Sequence, residues 1–109
     1  NLRHEGRVCR LYDYGVDSDQ YYITTAWYRM SLKSWRSQQP EDSLQNNLAM
    51  YMNIGSKLIE AACRLAEHSV VHHDLKCDNV LLLPLDPSVS DDELLTPKDS
   101  QTPAFDVVL

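Results

Sequence analysis

His72-His73-Asp74-Leu75-Lys76-Cys77-Asp78-Asn79, running into Val80-Leu81-Leu82-Leu83, is the stretch on which the reading of this 109-residue chain turns. It is a polar octet held between two apolar runs of β-type residues, Val70-Val71 before it and Val80-Leu81-Leu82-Leu83 after it. Loops pinned in that way are common homes for chemistry. Asp74 offers a carboxylate that can accept a hydroxyl proton. Lys76, two residues on, is a mobile point charge suited to a phosphate oxygen. Asn79, five residues after Asp74, presents an amide oxygen, a hard ligand that suits Mg²⁺. A base, a cation and a metal ligand on one short loop are parts that phosphoryl transfer needs, because that chemistry is mostly positioning and charge neutralisation.

Upstream of the loop, the apolar positions Leu44, Leu48, Tyr51, Met52, Leu58, Ile59, Ala62, Leu65 and Ala66 recur at helical spacing, so one amphipathic helix is expected from Leu44 to about His68. Gly55 within it suggests a close neighbour, or simple tolerance. Pro40-Glu41-Asp42-Ser43 resets the chain and supplies the cap and first-turn acids. Before it, Ser31 is placed to cap a short helix through Gln39 that carries Leu32 and Trp35 on one side. Residues 8–14 and 21–27 are rich in β-branched and aromatic side chains and flank a turn-like stretch at 15–20, so they are expected to form a hairpin. Downstream, Pro84, Pro87, Pro97 and Pro103 mixed with Ser and Thr predict a solvated loop without regular structure from about 84 to 104. A last β-type run follows at Phe105-Asp106-Val107-Val108-Leu109. The whole reads as an α+β chain.

Composition narrows the function. Three glycines, at 6, 15 and 55, cannot write either of the glycine-rich phosphate loops, so any nucleotide must be held by other residues. The net charge is −6, and residues 84–109 carry one lysine against six acids. That balance argues against nucleic acid as a partner, since phosphate neutralisation needs clustered Lys and Arg. The acidic run reads as a solubilising face. Cys9, Cys63 and Cys77 are odd in number and contain no C-x-x-C, which disfavours a zinc ribbon and a disulfide framework. Free thiols in a reducing compartment are the default, so a cytoplasmic location is expected. No apolar run approaches the roughly 18 residues of a membrane span, and the start of the chain shows no apolar signal-peptide core and no initiator Met.

The loop resembles the protein-kinase catalytic loop H-R-D-L-x-x-x-N followed by its apolar strand. Seven of its eight positions are matched or free. The helix ending in Leu65-Ala66-Glu67-His68-Ser69-Val70-Val71 is similar to the family's helix E, which leads into that loop. Leu2-Arg3-His4 with Val8 and Leu11-Tyr12 resembles the segment before the family's fourth strand. Tyr22-Ile23-Thr24-Thr25-Ala26-Trp27-Tyr28 looks like its fifth strand running into the hinge, and Ser31-Leu32-Lys33-Ser34-Trp35 like the start of helix D. Phe105-Asp106-Val107-Val108-Leu109 is similar to the eighth strand, which ends just before D-F-G.

The resemblance implies a two-lobed kinase fold, of which residues 1–28 would be the end of the N-lobe and the hinge. Residues 29–109 would be the start of the C-lobe, interrupted by an insertion at about 84–104. It implies that Asp74 is the catalytic base, that Lys76 steadies the γ-phosphate and that Asn79 holds one Mg²⁺. ATP would lie against Thr25 as gatekeeper, the backbone of Ala26, Trp27 and Tyr28, and Leu81 as the floor under adenine. Leu11 and His72 match positions of the family's packed regulatory spine. Lys76 two residues after the base follows the Ser/Thr pattern, so the implied partners are ATP and a protein substrate phosphorylated on Ser or Thr. The family's glycine-rich loop, its third-strand lysine, its helix C glutamate, D-F-G and A-P-E are not in these 109 residues. The chain is therefore expected to be an internal piece of a kinase domain, inactive alone and weakly stable where the hairpin's edges lie open.

His73 departs from the family's Arg at that position. A neutral imidazole would grip an activation-loop phosphate poorly at neutral pH, so the parent is expected not to depend on such a phosphate through His73. The rival reading is a pseudokinase, a scaffold or binding module that keeps the fold without transferring phosphate. Two other chemistries read poorly. H-E-x-x-H is not written by Glu67-His68 with His72-His73, because the glutamate precedes the first histidine and a strand is expected at Val70-Val71. A Cys–His nucleophile would have to use Cys77 with His72 or His73, and Cys77 occupies a free position of the kinase-like loop. Trp27, Tyr28 and Trp35 are expected to pack in the hinge and core.

Overall fold

The computed structural model describes residues 8–71, 73–96 and 102–109. His72 and residues 2–4, which entered the readings above, lie outside the described residues. The described residues form two antiparallel two-stranded sheets, four α-helices and a short 3-10 helix, so the α+β expectation holds.

The N-terminal hairpin pairs β1 (Leu11–Asp17) with β2 (Gln20–Thr25). Its turn is two residues long and not the six expected. Asp17 pairs with Gln20, and Ser18 and Asp19 between them take φ of 50° and 68°. Two left-handed residues give the turn whose twist matches that of the flanking strands. Gly15 and Val16 are thereby drawn into β1. Gly15 faces Tyr22 across the ladder, and a Cβ there would stand 2.9 Å from the tyrosine hydroxyl. That hydroxyl in turn donates to Asp13 Oδ2 at 3.1 Å. The pairing slips once, between Leu11 and Asp13, where Tyr12 is the extra residue of a bulge. Every residue of β2 is exposed.

The remainder packs around one core. Leu32 donates its N–H to Val80 O at 2.8 Å and Leu82 donates to Met30 O at 3.0 Å, so residues 30–32 lie antiparallel to the start of β3 (Leu81–Pro84). β3 pairs on its other edge with β4 (Phe105–Val108), Leu81 opposite Val108 and Pro84 opposite Phe105. Cys9 N–H reaches Leu109 O at 2.7 Å and ties the root of the hairpin to this strip. The expected short helix forms as α1 (Leu32–Ser37), two residues shorter at its C-terminal end than expected. It is started by Ser31, whose Oγ accepts the N–H of Ser34 at 3.1 Å.

The long helix comes in two pieces, α2 (Ser43–Asn46) and α3 (Leu48–Glu67), separated at Asn47. Its buried face is Met50, Ile54, Ala61 and Leu65. Of the apolar positions read from the sequence, only Leu65 is fully buried. Tyr51 and Leu58 flank the core, whereas Leu48, Met52 and Ile59 are more than half exposed on another side. The helix carries apolar residues on two sides, and its own periodicity could not say which one the core would take. Gly55 has open space where a Cβ would stand, so no close neighbour demands it. Trp35 and Phe105 fill the centre with ring centroids 5.3 Å apart, edge to face, and Tyr51 lies 5.6 Å from Trp35. Lys57 Nζ meets Asp106 Oδ1 at 3.0 Å in a half-buried pair that fastens α3 to β4.

The stretch from 84 to 104 is not the structureless loop expected. Asp86 accepts both the N–H and the hydroxyl of Ser88, which holds its carboxyl below the usual carboxylate range. Ser90 then caps α4 (Asp91–Leu95), accepting the N–H of Glu93 at 3.2 Å, with three acids in the first turn. Leu94 is 1% exposed and belongs to the core. The described prolines at 84, 87 and 103 fall outside this five-residue helix, so none removes one of its N–H groups. They bound the helix and do not forbid it. The acidic face expected here is real, but it is the outer face of a packed helix.

Candidate active site

The loop after α3 is set up by the way the helix ends. Ser69 takes a left-handed φ of 60°, and Val70 N–H returns to Leu65 O at 3.0 Å while Ser69 N–H bonds Ala66 O at 2.9 Å. This is the double bond pattern of a Schellman ending, with the apolar Val70 and Leu65 lining one cleft. The strand expected at Val70-Val71 does not form, because the helix cap consumes Val70 and leaves Val71 exposed.

Residues 77–79 then close a 3-10 turn, in which Asn79 N–H bonds Lys76 O at 2.9 Å. That turn folds Asn79 back on Asp74. The Asn79 amide donates to the Asp74 backbone oxygen at 2.8 Å and to its Oδ2 at 3.0 Å. Lys76 Nζ stands 3.7 Å from Asp74 Oδ1. Both side chains of that ion pair are more than half exposed, so the carboxylate opens to solvent. Asp74, Lys76 and Asn79 are therefore one cluster around one carboxylate. Behind them lies a cleft of about 410 Å³ lined by Val8, Leu65, Val70, His73, Asp74 and Leu109 among others. Lys33 on α1 pairs with Asp78 at 3.4 Å, which links the turn to the segment that follows the hairpin.

The five residues read as adenine contacts are split between that segment and β3. Thr25 ends β2, and its hydroxyl donates to Ala26 O at 3.1 Å. Ala26 N–H is committed to Arg10 O at 2.8 Å. Tyr28 is half-buried, and burial raises its phenol above the ordinary value, while the Arg10 N–H at 3.4 Å from its oxygen acts the other way. Trp27 is 81% exposed and does not pack in the core, unlike Trp35. Leu81 is half-buried, opposite Ser31.

Among the described residues, no group of three or more His, Cys, Asp or Glu lies together to hold a metal ion. Mg²⁺ does not need such a cage, because it keeps several waters and takes one or two protein oxygens together with substrate phosphates. The single amide oxygen of Asn79 suits that role, since its nitrogen is the atom turned to Asp74. Cys77 is exposed with a free thiol, and His73 is exposed as well.

Two braces escaped the sequence reading. Arg29, the residue after Tyr28, donates through Nη1 to Val89 O at 2.6 Å and meets Asp91 Oδ1 at 3.4 Å. Gln39 donates to Leu95 O at 3.0 Å. Partners some sixty residues apart leave no local signal, so only the fold reveals them.

No protein-family model matches the chain. Over 84 residues, 77% of its length, it is 38% identical to a protein of Dictyostelium discoideum named as a probable serine/threonine-protein kinase. Over 81 residues, 74% of its length, it is 25% identical to the dual specificity protein kinase TTK of Mus musculus. The chain is related in sequence to proteins that carry protein-kinase names. The matched stretches span 3% and 9% of those relatives' own lengths. Among the described residues, no helix is long and apolar enough to cross a membrane.

Proposed function

We propose that the chain forms the middle of an ATP-dependent protein kinase domain that phosphorylates Ser or Thr side chains. The observation that carries this reading is the closed cluster in which Asn79 holds Asp74 by two hydrogen bonds and Lys76 flanks the same carboxylate. Its likeness in sequence to proteins named as kinases supports it. Residues 1–28 are the end of an N-lobe with its hinge, and residues 29–109 the start of a C-lobe.

In this reading Asp74 is the catalytic base. The amide of Asn79 holds its Oδ2, Lys76 flanks its Oδ1, and the exposed carboxylate orients the substrate hydroxyl and takes its proton. Lys76 steadies the γ-phosphate from beside the same carboxylate. The oxygen of Asn79 is the ligand this chain offers to Mg²⁺, which when bound neutralises phosphate charge. Thr25, the backbone of Ala26, Trp27 and Tyr28, and Leu81 enclose the adenine, with the Ala26 carbonyl as acceptor. The exposed Leu48, Met52 and Ile59 on the open side of α3 support a domain larger than these 109 residues, since clustered exposed apolar side chains mark a surface that another segment covers. The 109 residues alone are expected to transfer no phosphate.

The test is Asp74→Asn in the full-length protein, assayed with ATP and a Ser/Thr protein substrate. We expect kcat to fall by about 10³-fold, the scale of a lost general base together with its orienting contacts, while ATP affinity stays within about twofold. Unchanged turnover would remove Asp74 from the role. Absence of phosphate transfer by the unmodified full-length protein would leave the fold as a binding scaffold.

A further inference from the structure

The insertion contains two Thr-Pro dipeptides, Thr96-Pro97 and Thr102-Pro103, in very different settings. Pro103 is fully buried and Thr102 is half-buried and engaged in an interaction of its own. Thr96 is exposed at the end of α4, with φ −94° and ψ 125°. That extended backbone is what a following proline imposes. It is also the form in which a peptide lies along a recognition groove. A proline directly after the acceptor is a strong chemical label, because it fixes φ and removes an N–H.

We propose that Thr96 is a phosphoacceptor for a proline-directed Ser/Thr kinase acting in trans, and that the phosphate releases α4 from Arg29 and Gln39. The inference does not depend on the function proposed for the loop at 73–79. In the step itself, Thr96 Oγ1 attacks the γ-phosphorus of ATP held by the modifying enzyme. The new O–P bond forms as the bond to the bridging oxygen of ADP breaks. ADP leaves with that electron pair, and the hydroxyl proton passes to the modifying enzyme's base.

The consequence follows from what surrounds Thr96. Its hydroxyl now donates to Asp92 O at 3.1 Å, and its N–H to Glu93 O at 3.2 Å, closing the last turn of α4. Phosphorylation removes the hydroxyl donor and sets a charge of about −1.5 to −2 beside Asp92 and Glu93 at a helix C-terminus, where like charge and the helix end both oppose it. Five residues make a helix that cannot persist by itself; α4 depends on Leu94 in the core and on its two braces. Once the last turn opens, Leu95 O leaves Gln39, and Val89 O and Asp91 leave Arg29. Arg29 directly follows Tyr28, so the release is felt at the segment that joins the hairpin to the packed body.

The experiment incubates the full-length protein with a purified proline-directed kinase and MgATP, alongside Thr96→Val and Thr102→Val. Mass spectrometry reads site occupancy and hydrogen exchange reads the amides of residues 91–96. We expect Thr96 to be modified at least about tenfold faster than Thr102, and the exchange of α4 to rise about tenfold on modification. Thr96→Val, which loses the hydroxyl bond without gaining charge, should change that exchange by less than about threefold. Modification of Thr102 as fast as Thr96, or none at Thr96, overturns the site. Full occupancy of Thr96 with unchanged exchange, or an equal rise in Thr96→Val, overturns the release by charge.

Discussion

The hairpin and the packed body are held in shape by different physics. In the hairpin, order comes from two left-handed turn residues, a ladder of backbone bonds and the Tyr22–Asp13 contact, with no side chain of β2 buried. In the body, order comes from the burial of Trp35, Phe105, Met50, Leu82 and Leu94, and the turns are consequences of it. A two-stranded ribbon is marginal in water without a face to bury. The hairpin therefore owes its position to its root, where Ala26 bonds Arg10 and Cys9 bonds Leu109.

The comparison can be broken or sharpened by substitution. Phe105→Ala strikes the body at its centre, where the ring is fully buried against Trp35. Chemical denaturation of the full-length protein should show a loss of about 3–5 kcal/mol. A loss below about 1 kcal/mol would mean that the core described here is not the stabilising one. Leu94→Ala asks whether the segment after β3 belongs to the body. Its 1% exposure predicts about 2–4 kcal/mol, whereas a solvated loop would lose almost nothing.

Smaller effects come next. Ser69 holds the left-handed position of the α3 ending that glycine takes at little cost, so Ser69→Gly should stabilise by about 1 kcal/mol. A destabilised variant would show that the Ser69 side chain has a partner of its own. Ile23→Thr in the hairpin, at a side chain 71% exposed, should stay within about 0.5 kcal/mol. A cost comparable with that of Leu94→Ala would show that the face of β2 is covered in the full-length protein, and would end the contrast between the two regions.

Much of this was legible in the residues. Ser31 read as a helix cap and is one. Two β-type runs around a turn composition read as a hairpin and form one, although the turn moved to Ser18 and Asp19. The α+β mixture read from the residues is also what the fold shows. Four readings moved, one of them the strand expected at Val70-Val71, which the ending of α3 replaced. The helix before the loop broke at Asn47 and buried a different side. Trp27 lies in solvent. The proline-rich stretch folded its middle into α4. For the buried side of α3 and for α4 the deciding partner lies far along the chain. Leu94 finds a core built by residues 30–82, and Asp91 finds Arg29.

Local physics is written in the sequence because its terms act within a few residues. Turn composition, capping hydroxyls, helical periodicity and the base, cation and amide of Asp74, Lys76 and Asn79 are all of this kind. Tertiary structure decided which side of α3 is buried and that α4 packs. It also folded Asn79 onto Asp74 through a 3-10 turn, closing the cluster around one carboxylate. Those outcomes depend on apolar area removed from water by distant segments, and no window of neighbouring residues contains that information.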